Sequence, residues 1–144
     1  MGYRSEVRSV IYGTQEQLDT FITTHQLILN TQILNEFKQH LTRYTIEMDF
    51  YNSETKEFEK RTLSVLDLYG SSWKWYESYS DVQAWEKLLK DAEEQGLHTQ
   101  FVRIGEEEGD IENRQIGDDF YQILSTHTSI IEVEFENKSE PQPI

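Results

Sequence analysis

The sequence predicts an α+β fold: a single domain with a largely antiparallel sheet and two main helices packed on one face of it. Three observations favour this class. The chain has 144 residues, the length of one ordinary domain, and its three Trp, eight Tyr and seven Phe suit a well-packed core. Segments of alternating apolar residues, typical of strands, are separated by segments with helical spacing. No linker divides residues 1–136, whereas 137–144 contains both prolines and predicts a disordered tail.

The first third of the chain predicts a strand followed by a helix. Tyr3 to Tyr12 alternates as a strand, and a capping box at Thr14 and Gln17 then starts a helix. The apolar stripe of that helix is Leu18, Phe21, Ile22, His25 and Leu29. After a break at Asn30-Thr31, a second stripe predicts a shorter helix or a continuation of the first, through Ile33, Leu34, Phe37 and Leu41.

The central segment predicts a β-hairpin. Residues 44–51 alternate as a half-buried strand, and residues 58–69 should return beside it. The returning strand has apolar residues in both phases of the alternation, which a bulge near Val65-Leu66 would explain.

The last part of the chain predicts a helix, a strand, a loop and a final strand pair. Ser80 and Gln83 repeat the capping-box pattern, and the helix that they open should end at Gly96. The remaining expected elements are a strand from Leu97 to Ile104, a long acidic loop from Gly105 to Asp119, and strands from Phe120 to Leu124 and Ser129 to Phe135.

Composition and motifs favour a protein that is not an enzyme and that needs no metal or cofactor. The chain has no Cys, and its four His show no ligand spacing. No nucleophile elbow and no glycine-rich phosphate loop is present. The longest strongly apolar run, Leu27-Ile28-Leu29, is far too short for a membrane span, so we expect a cytoplasmic protein that does not bind membranes.

The net charge of −14 is concentrated toward the C-terminus. Residues 81–144 hold five basic and sixteen acidic side chains, a balance of −11. Direct binding to nucleic acid is disfavoured, because that affinity comes from Lys and Arg contacts with phosphates. An acidic surface suits a partner protein with a basic surface, or imitates nucleic acid in a cationic groove. The alternative is that the excess carboxylates only keep the protein soluble.

The acidic loop is the candidate partner-binding surface. Its glycines predict mobility, and mobile loops on a rigid sheet are common binding sites. Its acidic residues do not follow the alternating pattern of a calcium loop, and a solvated loop without function is the other interpretation. The candidate partner-binding residues are Glu106, Glu107, Glu108, Asp110 and Glu112.

A second candidate site would bind a small anionic ligand such as a nucleotide. It requires the aromatic cluster of residues 73–76 and the few arginines of an acidic chain to converge in one pocket. Its candidate residues are Arg4, Trp73, Trp75, Tyr76 and Arg103. Core packing of the Trp side chains, and ion pairs between these arginines and neighbouring carboxylates, are the alternatives.

Three segments together resemble a family of small uncharacterised tailed-phage and prophage accessory proteins. They are Met1 to Val7 (MGYRSEV), Lys74 to Val82 (KWYESYSDV) and Phe101 to Glu107 (FVRIGEE), and the resemblance spans most of residues 1–112. It implies an accessory protein acting in the bacterial host cytoplasm, and it brings no catalytic residues. With the acidic charge, it predicts a protein that binds and inhibits or redirects a host protein, such as one that handles nucleic acid or defends against phage.

Overall fold

The computed structural model describes residues 2–26, 37–116, 124–126, 131–133 and 138–144. Its elements in chain order are β1 (Ser5–Gly13), α1 (Gln15–Thr24), a 3₁₀ turn (Phe37–His40), β2 (Leu41–Asn52), β3 (Glu57–Trp73), α2 (Ser80–Glu94), β4 (His98–Gly105), β5 (Ile111–Ile116), β6 (Leu124–Thr126) and β7 (Ile131–Val133). The first five strands form one antiparallel sheet in the order β2-β3-β1-β4-β5, and β6 pairs with β7 separately. The predicted α+β class is confirmed.

Strand β1 lies at the centre of the sheet and contributes to two cores. Val7 and Ile11 face the helices, while Val10 and Tyr12 face the opposite side, as the alternation predicted. On the helix side, the Trp85 indole N–H donates a buried 2.9 Å hydrogen bond to the Ser9 hydroxyl and so links α2 to β1. The core on this side contains Leu18, Phe21 and Ile22 of α1, and Trp85, Leu88, Leu89 and Ala92 of α2.

The second core explains why β3 is apolar in both phases. Leu66 and Leu68 lie in the helix-side core, and Leu63 and Val65 lie in the opposite one. The register of β3 against β1 is continuous there, so the bulge expected near Val65-Leu66 is wrong. A strand buried on both faces needs apolar residues in both phases. The irregularity instead lies further along, where Ser5 pairs with Trp73 and Val7 with Gly70.

The two helix starts differ. At α1, the Thr14 side chain accepts from the Gln17 N–H and the Gln17 side chain accepts from the Thr14 N–H, which confirms the capping box. At α2, the N-cap residue is Tyr79, one residue before the predicted cap, and no side chain caps the helix. The capping box predicted at Ser80 is therefore wrong.

Two other predicted boundaries change. Leu41, expected on a helix, is the first residue of β2, so that strand begins three residues earlier than predicted. The rest of the second predicted helix, before Phe37, lies outside the described residues. The predicted loop from Gly105 to Asp119 contains a short turn followed by β5. Strands β6 and β7 fall partly within the predicted final pair, and the remainder of that pair lies outside the described residues.

Residues 138–144, expected to be a disordered tail, lie along the outer edge of β2. Lys138 forms an antiparallel bridge with Ile46, and Gln142 forms one with Arg43. The Ser139 N–H donates to the Thr45 carbonyl at 2.8 Å. We call this segment the strap. It covers part of an edge that would otherwise expose its backbone groups to water.

Candidate functional site

The acidic turn of residues 106–110 connects β4 to β5 and is fixed to the start of the chain. The Tyr3 hydroxyl donates to Asp110 Oδ2 at 2.6 Å and accepts from the Glu107 N–H at 3.0 Å. The Glu106 side chain accepts from the Arg4 N–H at 2.8 Å. Gly109 has a φ of 82°, which permits the tight reversal. These contacts attach the turn to the residues just before β1, and the mobility that the glycines suggested stays a prediction.

The five candidate carboxylates divide into two groups. Glu106, Glu107 and Glu108 are exposed at the turn, whereas Asp110 and Glu112 form ion pairs with Arg103. Hydrogen bonds from Arg103, and then from Tyr3, lower the pKa of Asp110 to about 2. Glu106, Glu107 and Glu108 are therefore the exposed carboxylates that no ion pair with Arg103 engages, although Glu106 also accepts from the Arg4 N–H.

Arg103 and Arg114 belong to a chain of alternating charges across β4, β5 and α2. Arg103 makes two hydrogen bonds to Asp110 and lies 3.6 Å from Glu112, which is 3.3 Å from Arg114. Arg114 continues the chain with two hydrogen bonds to Glu86 on α2. Both arginines are thus paired with carboxylates. For Arg103 this agrees with the interpretation that it forms ion pairs rather than binding a ligand.

The aromatic cluster is mostly structural. Trp73 and Trp75 pack against the helix-side core, with their ring centroids 5.3 and 5.9 Å from that of Phe37. The Phe37 ring also lies 6.2 Å from that of Trp85. Aromatic rings at these distances attract one another beyond the effect of burial. Core packing therefore accounts for Trp73 and for most of Trp75.

A cavity of about 780 Å³ lies between α2 and β5 and brings part of the second candidate site together. Its lining includes Trp75, Tyr76, Glu86, Arg103, Glu112 and Arg114. Arg4 lines a different cavity, and Trp73 does not line this one. An anionic ligand here would meet Glu86 and Glu112 as well as the two arginines. Among the described residues that line this pocket, both arginines are therefore already paired with carboxylates.

A two-stranded arm is the feature that the sequence analysis did not single out. We define the arm as residues 47–62, where β2 and β3 continue beyond the rest of the sheet. The pairing of β1 with β3 ends at Gly13 and Ser64, whereas β2 and β3 stay paired as far as Asn52 and Glu57. Residues 53–62 are all exposed. The arm projects past the Gly13 end of β1, and the acidic turn lies at its Ser5 end.

Two large aromatic side chains are exposed near the tip of the arm. Tyr51 is 58% exposed and Phe58 is 72% exposed, the highest value among the exposed large hydrophobic residues of the described ranges. They are directly opposite each other across β2 and β3, with ring centroids 5.3 Å apart in an edge-to-face arrangement. Sequence patterns predicted strands at both positions but did not predict that these two side chains would be exposed. Their exposure depends on where β1 ends.

Comparison with protein-family models, curated protein sequences and solved structures finds no match to this chain. Within the described ranges, no group of three or more His, Asp or Glu side chains is arranged to hold a metal ion. No helix in the same part of the chain is long and apolar enough to cross a lipid bilayer. The arm, the acidic turn and the α2–β5 cavity are the candidate functional sites among the described residues.

Proposed function

We propose that this chain is a non-enzymatic, protein-binding accessory protein and that the tip of the arm anchors it to its partner. The observation that carries the proposal is the exposure of Tyr51 and Phe58 on a ribbon that projects beyond the folded body. Exposed aromatic side chains at a projecting position are typical anchors of protein interfaces, because their burial in a partner's pocket supplies most of the binding energy.

The charge around the aromatic pair indicates what kind of partner surface fits. The arm contains five acidic and three basic side chains. Lys60 and Arg61 lie within 3.8 Å of Glu47 and 3.6 Å of Glu59, respectively. Within the described residues, Glu54 and Glu57 at the tip have no cation at salt-bridge distance. This pattern suits an apolar pocket rimmed by Lys and Arg, and it disfavours insertion into a nucleic-acid groove.

The acidic turn supplies a second, weaker contribution. Because it lies at the other end of β1, it would act on a partner of ordinary size mainly through its field. Charged groups outside the contact surface change association rates more than dissociation rates. The resemblance of three segments to phage accessory proteins favours a bacterial host protein as the partner, one that the chain inhibits or redirects.

The test uses purified chain immobilised on beads in bacterial host lysate. The arm variant carries Tyr51→Thr and Phe58→Thr, because Thr is β-branched and therefore compatible with a strand. The matched control is Ile111→Thr, which removes a 46% exposed apolar side chain from β5. Captures are compared at low and at physiological salt, because exposed charges are screened over about 10 Å at 0.1 M.

We expect a host protein that the parent and the Ile111 variant capture and that the arm variant does not. When that protein is purified, calorimetry should show that it binds the parent and the Ile111 variant but not the arm variant. Equal capture by all three chains, or no specific capture at either salt concentration, contradicts the proposal.

A further inference from the structure

The strap occupies the edge of β2 through contacts that are mostly independent of its sequence. The Ser139 and Gln142 N–H groups donate to the carbonyls of Thr45 and Arg43 at 2.8 and 2.7 Å. The Thr45 N–H in turn donates to the Ser139 hydroxyl at 2.8 Å. Backbone groups of any extended peptide could make the first two contacts, which is how strand addition recognises a segment.

One side-chain contact gives this edge a chemical preference. The Lys138 ammonium lies 4.4 Å from the centroid of the Tyr44 ring, a cation–π contact. The Tyr44 ring is buried, and its hydroxyl donates to Asp67 Oδ2 at 2.6 Å. The ring is therefore fixed in place, and its face accepts a Lys or Arg side chain from whichever strand lies on the edge.

The strap fits this edge imperfectly. Between the two bridges, β2 advances three residues, from Arg43 to Ile46, while the strap advances four, from Lys138 to Gln142. The extra residue breaks the ladder in the manner of a bulge. Pro141 lies within this interval and has no N–H to donate. A strand with regular spacing and no proline would form more hydrogen bonds along the same edge.

The edge also continues past the strap. Beyond Ile46, β2 continues as the first strand of the arm, which carries Glu47 and Asp49. No other described strand pairs with its outer side there. Both carboxylates are exposed. Their charge favours a basic segment, which could pair with this edge and displace the strap.

We propose that the outer edge of β2 is a strand-addition site for an extended basic peptide, and that the strap is its internal occupant. The site is distinct from the aromatic tip of the arm, so this proposal stands independently of the one above. The strap reduces the affinity of the site for other segments, because it must leave before they bind.

The probe is a fluorescent peptide, Arg-Val-Arg-Lys-Ser-Thr-Gln-Val-Ile, which keeps the Lys-Ser pair but has regular spacing and no proline. The full-length variant with Ser139→Pro and Gln142→Pro lacks both N–H groups that hold the strap. We expect this variant to bind the peptide at least about tenfold more tightly than the parent, because its own strap competes less. Replacing the Lys of the peptide by Leu should weaken binding by about two- to fivefold, the range for an exposed cation–π contact.

Two controls separate strand addition from non-specific binding. Adding Thr45→Pro to the released-strap variant removes an edge-facing N–H and should therefore weaken peptide binding at least about tenfold. The variant should still fold, because proline is tolerated on an edge strand. A peptide with Pro in place of its Ser and Gln should not bind. Equal binding by the parent and the released-strap variant, or no effect of Thr45→Pro, overturns the proposal.

Hydrogen exchange on the unmodified chain provides a second measurement that needs no variant to fold. Excess peptide should accelerate exchange of the Ser139 and Gln142 amides, because displacement of the strap exposes them to water. Unchanged exchange of both amides at a peptide concentration that saturates the released-strap variant overturns the proposal, as does a peptide that binds neither chain.

Discussion

Tyr3 and Asp110, 107 residues apart in the sequence, are joined by a 2.6 Å hydrogen bond that attaches the β4–β5 turn to the start of the chain. Arg103 holds the same carboxylate from the other side, with contacts of 2.8 and 3.1 Å. Asp110 is therefore an organising residue of the turn rather than a free surface charge. Its ionised form is the one that both partners stabilise.

The first prediction concerns the pH dependence of this contact. The pKa of Asp110 is lowered from 3.8 to about 2, so its stabilising contribution is complete above about pH 4 and is lost as the pH falls toward 2. We expect the Asp110→Asn variant to melt at a lower temperature than the parent at pH 6, and at about the same temperature at pH 2. The measurement is a pair of thermal melts by circular dichroism at each pH. A gap that is as large at pH 2 as at pH 6 contradicts this account.

The second prediction separates the carboxylates of residues 106–112. The triple variant Glu106→Gln, Glu107→Gln and Glu108→Gln should change the free energy of unfolding by no more than about 0.5 kcal/mol, because the substitutions are exposed and the amide oxygen introduced at position 106 can still accept from the Arg4 N–H. Asp110→Asn with Glu112→Gln should be clearly less stable at neutral pH, because Arg103 loses both of its carboxylate partners and keeps the hydrogen bond to the Ser5 hydroxyl. Urea denaturation measures both. If the triple variant is destabilised and the double variant is not, the assignment of the two groups is wrong.

The same triple variant tests the role of the acidic turn in partner binding. With a purified partner, it should slow association while leaving dissociation nearly unchanged, as expected for charges that act at a distance. The Tyr51→Thr and Phe58→Thr variant should instead speed dissociation, because the lost contact is direct. Surface plasmon resonance gives both rates. A triple variant that associates as fast as the parent removes the turn from the proposal.

The third prediction concerns a buried polar network on the face opposite the helices. Asp67 is 2% exposed, accepts from the Arg8 guanidinium at 2.8 Å and accepts from the Tyr44 hydroxyl at 2.6 Å. Asp67→Ala should cost about 3–5 kcal/mol of unfolding free energy, because it removes the buried carboxylate to which both the Arg8 guanidinium and the Tyr44 hydroxyl donate. The exposed Asp49→Ala on β2 is the matched control and should cost less than about 0.5 kcal/mol. Similar urea midpoints for the two variants would contradict the network's importance.

Tyr44→Phe probes the same network with a smaller change. Burial, followed by the nearby Asp67 carboxylate, raises the pKa of the Tyr44 phenol, so it remains a hydrogen-bond donor throughout the neutral range. Removing its hydroxyl should cost about 1.5–3 kcal/mol, the range for a hydrogen bond to a charged group. A cost below about 0.5 kcal/mol in urea denaturation would show that the carboxylate finds another donor.

The fourth prediction addresses small anionic ligands. Because Arg103 and Arg114 are already paired with Asp110, Glu112 and Glu86, we expect no nucleotide to raise the melting temperature. A ligand at 100 times its dissociation constant would add about 2.7 kcal/mol, which a thermal-shift screen detects easily. A reproducible shift with any nucleotide would favour the pocket between α2 and β5 as a ligand site, and substitution of Arg114 would then be the next experiment.

The elements that sequence patterns predicted well are those decided by local chemistry. The capping box at Thr14 and the stop at Gly96 depend on residues within one helical turn. The pattern at Ser80 was equally local but did not decide the helix start, because α2 begins one residue earlier, with Tyr79 at its N-cap. Strand β5 was missed because its acidic and polar residues are typical of a loop. All six of its residues pair with β4, and Arg103 of β4 forms an ion pair with Glu112 across the two strands.

The candidate site was harder to predict because it depends on contacts between residues far apart in the sequence. The sequence identified the acidic residues 106–112 but not which of them a distant tyrosine would hold. It also contained no sign that β1 ends before β3 does, and this difference in strand length is what exposes Tyr51 and Phe58. Exposure of a residue in a sheet depends on the neighbouring strand, which is a non-local property.

All three Trp side chains belong to the helix-side core, where Trp73, Trp75 and Trp85 surround Phe37. Tryptophan fluorescence therefore observes only the helix-side half of this molecule. Loosening of the arm would leave the tryptophan emission spectrum almost unchanged. A fluorescence melt of this chain would report an apparently simple two-state transition even if the other face of the sheet had already come apart.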